Sequence, residues 1–231
     1  SNTYSFELAG WQGICVEAHP DYIEPLTKNR PGSEIFFAAA GDKRDTVTFY
    51  ANSRGSLSTL DKSQEETYAA TFGEFFTGFE AVEVEMRTLT DMLEAANAPR
   101  PVDIISIDVE GAEQLVLEGF NLEKFQPRVV IIEAIDDNFE QQLDAYFAIH
   151  HYHKSKICQD NIFYCRDKAD ATRLLNIPVE CEVIHTPHML DHDAEPQIIR
   201  ISESAQPLPT SPTLMKRIQY FVTRRIKQLV R

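Results

Sequence analysis

Two apolar runs, residues 102–109 and 129–134, are continuous enough to suit strands covered on both faces. The first ends in Ile107-Asp108-Val109, turns at Glu110-Gly111 and enters a helical run, Gln114-Leu115-Val116-Leu117-Glu118. The second ends in Glu133-Ala134. Residues 14–17 and 34–40 give two further strands, with a helix over 21–29 that Pro20 opens and Pro31-Gly32 follows. Residues 2–9 read as the tail of a helix stopped at Gly10. Between residues 42 and 87 the pattern is less regular. A short strand is expected over 45–51 and a turn at 54–56, and Val82, Val84 and Met86 alternate with Glu83, Glu85 and Arg87 as in a half-exposed strand. This insert reads either as a selectivity element or as a plain structural ribbon.

Further along, residues 90–96 form a short helix ended by Pro99 and Pro101. Phe139, Leu143, Tyr146 and Phe147 share one face of a helix and are core candidates. Residues 155–158 and 161–166 flank Gln159-Asp160 as an antiparallel hairpin. The alternation of strands and helices predicts an α/β fold with a mostly parallel sheet and an antiparallel close. Three parts follow: an α/β domain over 1–183, a linker or strap over 184–213, and a basic amphipathic helix over 214–231.

Charge sharpens that division. The net charge of −14 argues against a nucleic-acid binder, which needs clustered Lys and Arg. Lys216, Arg217, Arg224, Arg225, Lys227 and Arg231 lie in a terminal stretch without acids, so the rest of the chain holds 16 basic against 36 acidic residues. That helix has three open readings: packing on its own domain, docking on the acidic body of another copy, or peripheral contact with an anionic membrane surface. Cys15, Cys158, Cys165 and Cys181 show no C-x-x-C spacing and read as free thiols of a cytoplasmic protein. A hydrophobic fraction of 43% suffices for a sizeable core.

The candidate chemistry lies at strand ends. In open α/β sheets ligands bind outside the carboxyl ends of the strands, which places Asp108 and Glu133 at a crevice. Asp108 either touches the reacting groups or caps the next helix. Glu110 could reach the cleft, and Glu113 reads as a cap or a solvent-facing acid. Glu17 ends its strand as an acid suited to the two hydroxyls of a ribose. No metal site is expected: His150, His151 and His153, and the His185, His188, His192, Asp191 and Asp193 cluster, lack ligand spacing.

The segments "GICVEAHP" and "IDVEGAEQLVLEGF", with the opening "SNTYSFELAGWQG", resemble the FkbM family of S-adenosylmethionine-dependent O-methyltransferases over about residues 1–166. The resemblance implies a Rossmann-like class I methyltransferase fold, N-terminally truncated here. The family's first strand and glycine-bearing loop have no counterpart, and a vacant lane is expected between the two strand pairs. It implies S-adenosyl-L-methionine as cofactor, held by Glu17, Ala18, Ala40, Gly41, Asp108 and, at its amino-acid end, Asn2. Asp108 and Glu133 stand as catalytic candidates, and the Gln159-Asp160-Asn161 turn resembles a family hairpin that faces the cleft. The acceptor implied is a small-molecule or glycan hydroxyl on a sugar or natural product. The alternative is a degenerate methyltransferase-like binding or scaffolding module tethered through its basic C-terminal helix.

Overall fold

The structure is a computed structural model that describes residues 3–53, 57–134, 136–158 and 160–176, and the backbone of 180–185 and 197–202. Helix α1 (Tyr4–Leu8) leads to strand β1 (Gly13–Glu17) and helix α2 (Pro20–Asn29). Strand β2 (Ser33–Phe37) then pairs with β1 in parallel, Cys15 opposite Ile35. Buried His19 caps α2: its Nδ1 accepts from the Asp21 N–H at 3.2 Å. The ring proton therefore sits on Nε2, which donates to the Asn52 carbonyl at 3.0 Å.

The run expected as one strand over 34–40 is two. At Ala38 the chain leaves the β1 ladder, its N–H still bonded to the Glu17 carbonyl at 3.0 Å. Strand β3 (Ala39–Gly41) then joins a second sheet of order β3-β5-β4, with β4 spanning Asp45–Ala51 and β5 spanning Glu80–Thr88. Apolar content cannot mark this change of partner, because both ladders bury the same side-chain types. Alternation along β5 holds: Val84 and Met86 are buried, and Glu83 and Glu85 are exposed. Between β4 and β5 lies an element the sequence pattern does not announce, helix α3 (Gln64–Phe72) with a 3-10 turn at Gly73–Phe75. Only Phe72 of α3 is buried, so no apolar stripe at helical spacing marks it.

The second half is close to expectation. Helix α4 (Leu89–Ala95) is capped by Thr88, whose Oγ1 accepts from the Asp91 N–H at 3.0 Å. The elements β6 (Ile104–Ile107), α5 (Glu113–Glu118), α6 (Leu122–Phe125), β7 (Val129–Glu133) and α7 (Asp137–Ile149) follow. Strands β8 (His153–Cys158) and β9 (Asn161–Cys165) form the hairpin, and α8 (Lys168–Leu175) packs behind it. Strands β6 and β7 are parallel neighbours, β9 lies antiparallel on β7, and β8 closes the order β6-β7-β9-β8. Among the described residues no ladder joins β1 to β6, although Ile14 packs on the core cluster that holds Ile105 and Ile107.

That core is centred on β7, β9 and α7. Phe125, Val130, Ile132 and Phe147 have no exposed surface, and the Phe147 ring stacks on Tyr164 at 4.0 Å. Each such side chain contributes roughly 1.5–3 kcal/mol by leaving water. The Tyr164 hydroxyl donates to Asp144 at 2.6 Å, which satisfies its polar end. Arg128 grips Asp170 of α8 through two bonds, at 2.5 and 2.9 Å. Strands β10 (Glu180–His185) and β11 (Gln197–Ser202) form a separate antiparallel ladder within and beside the stretch read as a strap. The turn read at 54–56 and the basic helix read at 214–231 lie outside the described residues. No helix among the described residues is long and apolar enough to cross a membrane.

A close backbone approach joins α5 to β3. A Cβ on Gly119 would stand 2.0 Å from the Gly41 carbonyl oxygen, and one on Gly41 would stand 2.3 Å from Met86 Sδ. The first neighbour is backbone and cannot swing aside. Gly119→Ala is therefore expected to cost about 1–3 kcal/mol. Thermal melts should show a fall of several degrees; an unchanged midpoint would mean that β3 and α5 separate freely.

Candidate active site

Register brings two acids together. Ile107 on β6 stands opposite Ile132 on β7, so the next residues, Asp108 and Glu133, emerge side by side at the carboxyl ends of the parallel pair. Their carboxyl groups come within 4.8 Å of each other. Glu110 joins them, and carboxylate oxygens of the three lie within 4.8 Å of one another. Asp108 opens to solvent, yet the protein crowded around its carboxyl raises its pKa above the ordinary 3.8. The Glu133 hydrogen bond opposes the rise, and the charge of Asp160 in the β8–β9 turn adds to it. The turn is fixed there because the Ala134 N–H donates to the Asp160 carbonyl at 2.8 Å.

The bend that presents these acids is built by Glu113. Glu110 and Gly111 take φ values of +55° and +100°, a conformation that suits glycine and strains glutamate. Glu113 is only 1% exposed, and its carboxylate accepts from the Val109 N–H at 3.0 Å and the Gly111 N–H at 3.1 Å. The Thr59 hydroxyl adds a bond to the Glu110 carbonyl at 3.1 Å. The N-cap position of α5 is Ala112 with no side-chain cap, so Asp108 is not the capping residue of that helix. Glu113, read as a cap or a surface acid, is a buried clamp of the turn before its own helix.

The other candidates are more dispersed. Glu17 ends β1 outside the trio; its Oε1 accepts from the His19 N–H at 2.7 Å, and burial raises its pKa above 4.5. Ala18 packs on the cluster of Phe49 and Val84. Ala40 packs on the main core, and the space at Gly41 is taken by Met86. Asn2, Gln159 and the side chains of the 185–193 polar cluster lie outside the described residues. The His150 ring meets Tyr146 at 4.8 Å, tilted by 54°, and lies 3.9 Å from Glu123. Among the described residues, the acid trio is the one grouping of potential metal ligands. A shallow hollow of about 540 Å³ between Thr88, Gly119, Asn121 and His150 includes none of these acids.

The sequence pattern also passes over Tyr68 on α3. Burial, and then the charges of Glu110, Glu133 and Glu113, hold its phenol up at about 12. The signal available was density rather than period: Tyr68, Phe72, Phe75, Phe76 and Phe79 crowd one short stretch.

Acids gathered at the carboxyl edge of a parallel pair, with a hairpin turn beside them, agree with what family comparison gives: this is a methyltransferase-domain protein. More narrowly, it belongs to the FkbM methyltransferase family, whose Methyltransferase FkbM domain matches residues 1–161. No curated protein and no solved structure matched the chain.

The clamp makes a pH-dependent expectation. Burial raises the Glu113 pKa above 4.5, so the folded state holds this proton more tightly than the unfolded chain does. Its contribution is therefore fully present below 4.5 and is lost as pH rises through the raised folded value. Glu113→Gln should gain on the wild type as pH rises in thermal melts between about pH 5 and 8. Glu113→Ala should instead lose about 1–3 kcal/mol by stranding buried N–H groups. Parallel pH curves for the wild type and the Gln variant would show that folding does not raise the Glu113 pKa.

Proposed function

We propose that the protein is an S-adenosylmethionine-dependent O-methyltransferase whose β2–β1 and β6-β7-β9-β8 ladders are two parts of one Rossmann-like, class I arrangement. The observation that carries this reading is the meeting of Asp108, Glu110 and Glu133 within 4.8 Å at the carboxyl ends of β6 and β7, in a chain of a methyltransferase family. The donor set fits the cofactor. An acid trio favours a positive sulfonium, and Glu17 at another strand end carries acceptor oxygens for ribose hydroxyls. Ala18 and Ala40 add small side chains near that strand end, whereas Gly41 serves the packing of Met86.

S-adenosylmethionine, when bound, supplies a methyl group already activated by its sulfonium. The residues then need to align an acceptor hydroxyl and take its proton. Asp108 suits both tasks, because a raised pKa makes it a stronger base than an ordinary aspartate. Glu133 shares a hydrogen bond with it and holds the carboxyl in orientation. With the cofactor bound, Asp108 would take the proton that the acceptor hydroxyl gives up on methylation. The acceptor in this reading is a hydroxyl of a sugar or other natural product.

Two measurements test the assignment. Glu17→Ala should weaken S-adenosylmethionine and S-adenosylhomocysteine alike, by roughly one to two decades, since a charged hydrogen bond contributes about 1.5–3 kcal/mol. Calorimetry giving unchanged affinity for both ligands would remove Glu17 from the ribose site. Asp108→Asn keeps the shape of the side chain and should keep much of the cofactor affinity. Turnover should fall about a hundredfold to ten-thousandfold, measured on an acceptor found by screening sugars and natural products for methyl incorporation. A loss of less than about threefold would assign the proton transfer elsewhere.

A further inference from the structure

The arm between β4 and β5 takes no part in that chemistry, yet it is fastened to the site. Tyr68 is ringed by Phe72, Phe76 and Phe79, with centroids at 5.6, 5.9 and 6.1 Å. Phe79 continues the cluster to Phe76 at 4.9 Å and to Tyr50 at 5.8 Å. Of these rings only Phe72 is buried; the other four are half-exposed. A cluster that served only to anchor α3 would turn its rings inward, since large apolar side chains gain most when fully covered.

The arm is also held in place. Asn52 Nδ2 donates to Thr77 Oγ1 at 3.2 Å and to the Gly78 carbonyl at 2.8 Å. Thr59 ties the start of the arm to the Glu110 carbonyl and bridges Tyr50 through two backbone bonds, so the aromatic cluster is linked to the acid turn through Thr59. Tyr68 lies in the field of Glu110 and Glu133, and with its phenol at about 12 it stays protonated over the physiological range. Among the described residues its hydroxyl makes no hydrogen bond.

We propose that this arm is the acceptor side of the site, that the half-exposed rings of Tyr68, Phe76 and Phe79 seat the apolar face of an uncharged ring-shaped acceptor, and that Tyr68 is a positioning residue. Its hydroxyl turns the acceptor hydroxyl toward Asp108 and Glu133. The inference rests on the methyltransferase reading for the reaction that follows, but the seat itself is a matter of binding. Three carboxylate groups within 4.8 Å disfavour any acceptor that carries a further negative charge. The class expected is therefore a neutral hydroxyl compound with an apolar ring face, and not a phosphate ester or a carboxylic acid.

The test uses the full chain with two probes that differ in one group, phenyl β-glucoside and phenyl β-glucuronide. Saturation-transfer NMR in the presence of S-adenosylhomocysteine should show the glucoside bound and the glucuronide at least about tenfold weaker. Tyr68→Phe should weaken the glucoside about threefold to tenfold, the range of a neutral hydrogen bond, with melting temperature and S-adenosylhomocysteine affinity unchanged. Phe76→Leu, which keeps apolar volume and removes a ring, should weaken it as well. Equal binding of the two probes, no glucoside signal, or Tyr68→Phe and Phe76→Leu indistinguishable from the wild type would overturn the seat. If S-adenosylhomocysteine still bound, those results would leave the methyltransferase reading standing. Loss of S-adenosylhomocysteine binding in the wild type would strike that reading instead.

Discussion

The turn after β6 exists because Glu113, almost cut off from water, gives its carboxylate to the N–H groups of Val109 and Gly111. Helix starts ordinarily leave such donors to a serine, threonine or aspartate at the cap. Here the cap position is Ala112, and the acceptor comes from inside the first turn. The geometry has a consequence for Glu110, which is held at a positive φ that its side chain would otherwise resist. With the bend fixed, Glu110 joins Asp108 and Glu133 in one cluster. A single buried acid thus brings Glu110 to Asp108 and Glu133, which the β6–β7 register has already set side by side.

Around that turn, connections matter more than the number of strands. The handover at Ala38 lets one stretch of chain serve two ladders, first beside β1 and then beside β5. Strand β5 carries on its other edge β4, and the chain between β4 and β5 is the aromatic arm. Thr59 then fastens the arm to Glu110. The acid turn is accordingly supported from the β6 side by Glu113 and from the β4 side by Thr59, and Gly119 seats the far end of α5 against β3.

The sequence pattern conveys the half of the fold where burial is two-sided. Strands β6 and β7 are apolar but for Ser106 and the terminal Glu133, and the face of α7 that carries Leu143 and Phe147 is legible because both residues are covered. It conveys less where an element is covered on one side by a few large rings. Helix α3 is exposed at Glu66, Thr67, Ala69 and Ala70, so its period is invisible although its aromatics are conspicuous. The division of residues 34–40 is hidden for another reason: a strand that changes partner keeps the same apolar demand. In the candidate site, Asp108 and Glu133 follow from their places at strand ends. The buried state of Glu113 does not, because an acid three residues past a glycine turn reads as a surface residue until its donors are seen.

The acids of this chain fall into two groups by environment, and the groups respond to protons in opposite ways. Glu7 and Asp170 sit against Ser33 and Arg30, and against Arg128, and those hydrogen bonds hold their pKa values below the ordinary range. Such partners keep a carboxylate charged and fixed, which is a structural use. Glu17, Asp108 and Glu113 have lost water without gaining a cationic side chain in direct contact, and their pKa values rise. Glu113 offsets that loss with backbone donors and becomes rigid. Asp108 instead stands in a group with two other acids, Glu110 and Glu133. An acid placed this way is the more ready to accept a proton from a neighbour, and the crowding that unsettles it also suits an incoming positive charge. The same physical fact, three carboxyl groups gathered at one strand edge, therefore supports both the attraction of a sulfonium and the acceptance of a hydroxyl proton.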